Sequence, residues 1–186
     1  MSQNIFFEGP VRSGKSTVLR QALLPYLPEM GGFVVQRLID ADGFPAAYRL
    51  RTLSDRASFL NVNAPFTGGE PDIFLHLPSR IFDPTVFETT GVELLNQCKG
   101  KRLVLLDEIG GLELLVPLFR DALFRQLQEE IPCVGIIKER KKSREALVYN
   151  DLLRSVVSVI PITQATLSEI PYHLNKVHIP QLPFKP

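Results

Sequence analysis

Short apolar runs alternate with amphipathic segments along most of the chain. Asn4–Glu8, with Ile5, Phe6 and Phe7 at its centre, predicts a first buried strand, and Gly9–Gly14 a loop bounded by glycines. Lys15–Leu24 predicts a helix with Val18, Leu19, Ala22 and Leu23 on one face, ended by Pro25. Gly31-Gly32 reads as a break. Phe33–Ile39 and Phe44–Leu50 read as two strands around Asp40-Ala41-Asp42-Gly43, and an Asp-Gly step between apolar runs signals a hairpin. Ser54–Glu70 is polar and rich in Gly, Asn and Pro, which predicts a loop. Asp72–Leu77 is a further strand. Asp83-Pro84 marks the start of a helix reaching about Cys98, with Phe87, Gly91, Leu94 and Leu95 inward. Leu103–Leu106 is apolar at every position, as expected of a central strand covered on both faces. The pattern continues with a helix over Val116–Glu129, a strand over Pro132–Ile137, a helix over Glu145–Arg154 and a strand over Val156–Ile160. Thr166–Asn175 predicts a short helix, and Pro180–Pro186 an extended tail. Alternation of this kind implies an α/β fold, with a mostly parallel sheet and one antiparallel hairpin.

Composition narrows the picture only a little. The 186 residues suit a single domain spanning 1–186, with a proline-rich tail from about 176. A net charge of +1 lacks the basic excess of a dedicated nucleic-acid binder, so no nucleic-acid partner is expected. No apolar run approaches the roughly 20 residues needed to span a bilayer, and the start of the chain does not read as a secretory signal. Cys98 and Cys133 show no CxxC spacing and read as reduced core thiols. These features predict a cytoplasmic protein with no membrane partner. His76, His173 and His178 lack metal-ligand spacing and read as structural.

The candidate chemistry lies in two segments. Gly9-Pro10-Val11-Arg12-Ser13-Gly14-Lys15-Ser16-Thr17 fits G-x-x-x-x-G-K-[ST] and sits between a predicted strand and a predicted helix. Such a loop wraps backbone N–H groups around a polyphosphate, and the helix behind it aims its N-terminus at the same anion. Lys15 would place its charge on the β- and γ-phosphates, and the Ser16 hydroxyl would ligate Mg²⁺. Leu103-Val104-Leu105-Leu106-Asp107-Glu108 is an apolar strand that ends in two carboxylates. Ligands of open α/β sheets bind beyond the carboxyl ends of the strands, so both segments can face one crevice. Asp107 would hold Mg²⁺, largely through water. Glu108, ionised at an ordinary pKa of about 4.3, would orient or deprotonate the attacking water. Gly110 and Gly111 permit a tight turn, and Glu113 is a further carboxylate nearby. Asp107-Glu108-Ile109-Gly110 also satisfies D-x-x-G, but Asn175-Lys176-Val177-His178 lacks the aspartate of a guanine motif. Guanine specificity is therefore unsupported.

Phosphoryl transfer is mainly positioning and charge stabilisation. Arg12, Arg80 and the run Lys138-Glu139-Arg140-Lys141-Lys142-Ser143-Arg144 are the candidate sources of positive charge. The run follows a strand, and one of its cations is expected to reach the γ-phosphate.

With the phosphate loop, Gly32-Phe33 opening a strand and Asp107-Glu108-Ile109-Gly110-Gly111-Leu112-Glu113, the sequence resembles the small P-loop nucleoside-triphosphatase family of cancer-related nucleoside-triphosphatase type. The resemblance spans roughly residues 3–165 and is sharp at the two nucleotide motifs. It implies a three-layer P-loop NTPase fold of the additional-strand type. It also implies slow, Mg²⁺-dependent hydrolysis of several nucleoside triphosphates, ATP with GTP and others among them. By carry-over, Gly9, Ser13, Gly14, Lys15, Ser16 and Thr17 bind phosphate, Asp107 serves the metal and Glu108 the water. The family motif D-E-I-G-[KR]-M-E has Gly111 and Leu112 here in place of its basic residue and methionine. Gln36-Arg37-Leu38 only partly matches the family's acid-arginine stretch, and Ile162-Thr163-Gln164-Ala165 stands where relatives carry Asn-Arg. Two other functions fit the same residues: a nucleoside or nucleotide kinase with Lys138–Arg144 as a lid, and a nucleotide switch with little turnover.

Overall fold

A computed structural model describes residues 4–140 and 144–177. The expected tail from Pro180 and the central Lys141-Lys142-Ser143 of the basic run lie outside the described residues. The strands are β1 (Ile5–Glu8), β2 (Met30–Ile39), β3 (Pro45–Arg51), β4 (Asn63–Pro65), β5 (Ile73–His76), β6 (Ile81–Phe82), β7 (Leu103–Ile109), β8 (Cys133–Ile137) and β9 (Ser158–Pro161). The helices are α1 (Lys15–Leu23), α2 (Arg56–Leu60), α3 (Val92–Asn96), α4 (Pro117–Gln128), α5 (Leu147–Val156) and α6 (Ile170–Leu174).

All nine strands form one sheet, in the order β6-β5-β3-β2-β7-β8-β1-β9, with β4 paired to β2. The block β2-β7-β8-β1-β9 is parallel throughout. The expected hairpin joins β2 to β3, and the antiparallel side continues through β5 and β6. Apolar side chains cover both faces, which is why β7 reads as a continuous hydrophobic run. One face packs Phe6, Phe33, Leu50, Phe74 and Leu106 against α3, α4 and α5. The other packs Phe7, Val34, Leu103 and Leu105 against α1, α2 and α6. Phe87, Phe119, Phe33 and Phe74 fill the first layer with ring centroids 4.9–5.9 Å apart, separations typical of favourable edge and tilted contacts.

Two expectations are corrected. Gly31 and Gly32 do not break the chain but lie inside β2. Gly32 has a φ of +99°, and a Cβ there would stand 2.0 Å from the Leu105 carbonyl oxygen. The glycine is needed for close approach to β7, not for a turn. The segment 54–70 is also more than a loop, because it contains α2 and β4. Asp55 starts α2, its Oδ1 accepting from the Ser58 N–H at 2.7 Å.

The register places the site. Phe7 lies beside Ile136, and Ile136 beside Asp107. The strand leading into the phosphate loop and the strand carrying the acids are therefore separated by β8 alone, about 10 Å at two inter-strand spacings. Both end at the same edge of the sheet.

Candidate active site

The phosphate loop leaves β1 after Glu8 and enters α1 at Lys15. Gly14 caps the helix with a φ of +96°, a conformation that side chains disfavour. No side chain caps α1 and no acid occupies its first turn. Its leading N–H groups are thus oriented for an anion. Arg12 also has a positive φ, of 63°, which holds the loop in a tight curve. Lys15 folds back over the loop, its Nζ donating to the Gly9 oxygen at 2.8 Å, the Pro10 oxygen at 2.5 Å and Ser13 Oγ at 3.2 Å. The ammonium is therefore already held above the loop, where a polyphosphate can draw it off.

Ser16 Oγ donates to Asp107 Oδ1 at 3.0 Å, so the loop and the acid strand meet as the sequence predicts. The other oxygen, Oδ2, accepts from Arg20 Nε at 2.7 Å, and both side chains are 1 % exposed. Arg20 also donates to the Val35 oxygen at 2.7 Å and the Phe59 oxygen at 3.4 Å. Sequence reasoning missed Arg20. Its signal was spacing: it lies four residues after Ser16, on the same helix face, among the inward positions Leu19 and Leu23.

These residues fit Mg²⁺ brought in by a nucleotide. Ser16 and Asp107 supply hard oxygen donors side by side. Among the described residues, no cluster of three or more His, Cys, Asp or Glu could cage a bare ion. Mg²⁺ characteristically takes one or two protein oxygens and completes its shell with phosphate and water.

Glu108 is partly buried and lines the same cavity as the loop. Burial raises its pKa above the ordinary carboxyl value, and Asp107 and Glu113 add to the rise, against the opposing pull of Lys138 and Lys15. It is thus a better proton acceptor than an unperturbed glutamate. Glu113 is buried, not a surface acid. Its Oε1 accepts from the Gly110 N–H at 2.5 Å and the Gly111 N–H at 2.7 Å, which fixes the turn after β7. Its Oε2 lies 3.8 Å from Lys138 Nζ. Burial alone would lower the Lys138 pKa, but Glu113, Glu108 and Tyr48 outweigh it and the net shift is upward.

A cavity of about 870 Å³ joins these groups. Gly9, Val11, Arg12, Ser13, Gly14, Lys15, Ser16 and Thr17 line one end, and Asp107, Glu108 and Lys138 its middle. Beyond them it runs to an aromatic end at Tyr48, Phe74 and Phe87 that the sequence did not reveal. Pro10 faces a separate cavity with Glu8 and Pro161, although its carbonyl holds Lys15.

The candidate cations part company. Lys138, Arg12 and Arg144 line the main cavity. Arg140 instead forms a two-pronged pair with Asp151, at 2.6 and 2.8 Å. Arg80 is exposed and does not border the cavity. Behind the site, Arg154 donates to Glu8 Oε1 at 2.6 Å, Asn150 Oδ1 at 2.7 Å and the Lys138 oxygen at 3.0 Å, while Asn150 Nδ2 donates to the Gly110 oxygen at 2.8 Å. Cys98 and Cys133 are free and buried. No helix among the described residues is long and apolar enough to cross a membrane.

The profile of the NTPase family matches residues 4–174. The chain belongs to this family. It is accordingly a nucleoside-triphosphate hydrolase. Two solved structures share the fold. The solution structure of a human cancer-related nucleoside triphosphatase superposes with a TM-score of 0.65 at 22 % identity, covering 96 % of this chain and 99 % of that one. The crystal structure of THEP1 from the hyperthermophile Aquifex aeolicus gives 0.66 at 18 % identity, covering 92 % and 96 %. No curated protein sequence matches the chain.

Proposed function

We propose that the protein hydrolyses nucleoside triphosphates to the diphosphate and phosphate in a Mg²⁺-dependent reaction of broad base specificity, acting in the cytoplasm. The observation that carries this reading is the Ser16–Asp107 hydrogen bond, which ties the phosphate loop to the acid strand with Glu108 in the same cavity. Ser16 and Asp107 would hold the metal, which would supply charge neutralisation to the polyphosphate. Gly9–Thr17 binds the phosphates through backbone N–H groups. Lys15 leaves its loop carbonyls for the β- and γ-oxygens. Glu108 takes the proton of a water whose oxygen attacks the γ-phosphorus, as the bond from that phosphorus to the β-bridging oxygen breaks and the diphosphate leaves. Broad base use is consistent with the absence of a guanine motif.

The aromatic end of the cavity favours one second reading, a small-molecule kinase. An acceptor held against Tyr48 and Phe74 would lie on the Glu108 side of the phosphates. A single experiment separates the two readings. Phosphate release is measured from a panel of triphosphates with Mg²⁺, with and without nucleoside acceptors, for the wild type, Lys15→Ala and Glu108→Gln. Hydrolysis requires acceptor-independent release that both variants lose while Glu108→Gln still binds nucleotide. Label appearing only on an acceptor would replace this reading with the kinase.

A further inference from the structure

Lys138 is the first residue after β8, and its backbone is pinned on both sides. Its N–H donates to the Ile109 oxygen at 2.8 Å, and its carbonyl accepts from Arg154 at 3.0 Å. The side chain passes over Gly111. A Cβ built on Gly111 would stand 2.5 Å from Lys138 Nζ and 2.9 Å from its Cδ. Gly111 is not in the left-handed region, so backbone conformation does not account for the glycine. A side chain there would have to push aside the end of the lysine, which is flexible and can yield.

Glu113 anchors the ammonium through Oε2, while Oε1 is committed to the turn. An anchor 3.8 Å away, on a side chain 33 % exposed, contributes little to stability. The lysine is better explained by what it faces. It lines the same cavity as Glu108 and Lys15. Two lysines from different elements, α1 and the end of β8, thus share one cavity with Glu108. A triphosphate seated on the loop would extend its γ end into this cavity, toward Glu108 and Lys138.

We propose that Lys138 is the cation at the end of β8 that meets the γ-phosphoryl group, with Glu113 as its positioning residue. Lys138 stabilises the charge that builds on the γ-oxygens as water adds and the β-bridging oxygen departs, and it keeps its proton throughout. This inference rests on the hydrolase reading for its kinetic consequence but not for its binding consequence.

The test uses the full chain as Lys138→Met and Lys138→Arg, with calorimetric binding of Mg²⁺–ADP and Mg²⁺–AMP-PNP beside steady-state turnover. Lys138→Met is expected to lower kcat by about 100-fold or more, the loss typical when one group that stabilises transition-state charge is removed. Its Kd for ADP should stay within about threefold, whereas AMP-PNP should bind about tenfold more weakly, a difference confined to the γ-phosphate. Lys138→Arg should recover turnover to within roughly tenfold of wild type, because the charge is kept but the reach differs. Retention of half or more of kcat in Lys138→Met, or equal weakening of both nucleotides, overturns the proposal. If the wild type released no phosphate, the hydrolase reading would fail, and selective loss of AMP-PNP affinity would still decide the role of Lys138.

Discussion

Arg20 offers the sharpest energetic test of the site. Its guanidinium and the Asp107 carboxylate are each 1 % exposed and 2.7 Å apart. Replacing Arg20 with methionine keeps most of the apolar stem, so the cavity cost is small. The electrostatic cost is not. Asp107 would retain the Ser16 hydroxyl but lose its positive partner, and breaking one side of a buried pair costs about 3–5 kcal/mol. The Val35 oxygen would lose a 2.7 Å donor as well, whereas the 3.4 Å contact to Phe59 is too long to matter much. For a chain of this size about 3–5 kcal/mol corresponds to a fall in Tm of roughly 6–20 °C.

Urea unfolding of wild type, Arg20→Met, Asp107→Asn and the double variant closes a thermodynamic cycle. Asparagine needs no cation, so the double variant should be about 2 kcal/mol or more stabler than additivity predicts. Mg²⁺–ADP should stabilise Arg20→Met by a larger increment than wild type, since the metal supplies charge that the variant lacks. A loss below about 1 kcal/mol in Arg20→Met, or a coupling below about 0.5 kcal/mol, would refute the view that Arg20 neutralises Asp107.

Three further outcomes follow from the site and the core. Glu108 has a raised pKa, so its folded-state contribution is favourable below about pH 4.3 and is lost as pH rises through the raised value; Glu108→Gln should therefore abolish turnover yet raise Tm at pH 7, with the gain fading toward pH 4, and an unchanged or lowered Tm at pH 7 would contradict this. Burial pushes the Cys98 thiol up to about 11 and Cys133 to about 12; neither should react with iodoacetamide at pH 8 in the native protein, and both should react in urea, as read by mass spectrometry. Arg140 is held by Asp151 away from the main cavity; Arg140→Ala should keep kcat within about twofold, because an exposed pair of this kind contributes little, and a tenfold loss would return Arg140 to the candidate cations.

How much of this was legible in the sequence depended on whether the determining contact was local. The phosphate loop and Asp107-Glu108 could be read because each is a short segment whose residue types follow from its own chemistry. The hairpin at Asp40–Gly43 was legible for the same reason. Gly32 was misread because its cause lies in Leu105, a residue far away in sequence and on the next strand. α2 was missed because a five-residue helix offers no periodicity to detect. Glu108 was assigned an ordinary pKa because its burial, the main cause of the rise, cannot be seen until β7, β8 and the following turn are assembled.

The same distinction explains how the site stays assembled. Its reactive residues come from separate short segments, and what sets their spacing is a polar network behind them. Arg154, on α5, holds Glu8, the residue just before the phosphate loop, and the carbonyl of Lys138. Through Asn150 it also reaches the Gly110 carbonyl, just after the acids. One side chain therefore ties the roots of all three contributing segments: the loop, the acid turn and the β8 end. Such a junction needs several donors in fixed directions, which the planar guanidinium provides and a lysine does not. The loop and the acid strand are joined once at the front, by Ser16 and Asp107, and again at the back, by Arg154. That double joining accounts for how a sheet with β8 between the two motif strands can still bring a loop lysine and a strand-end glutamate into one cavity.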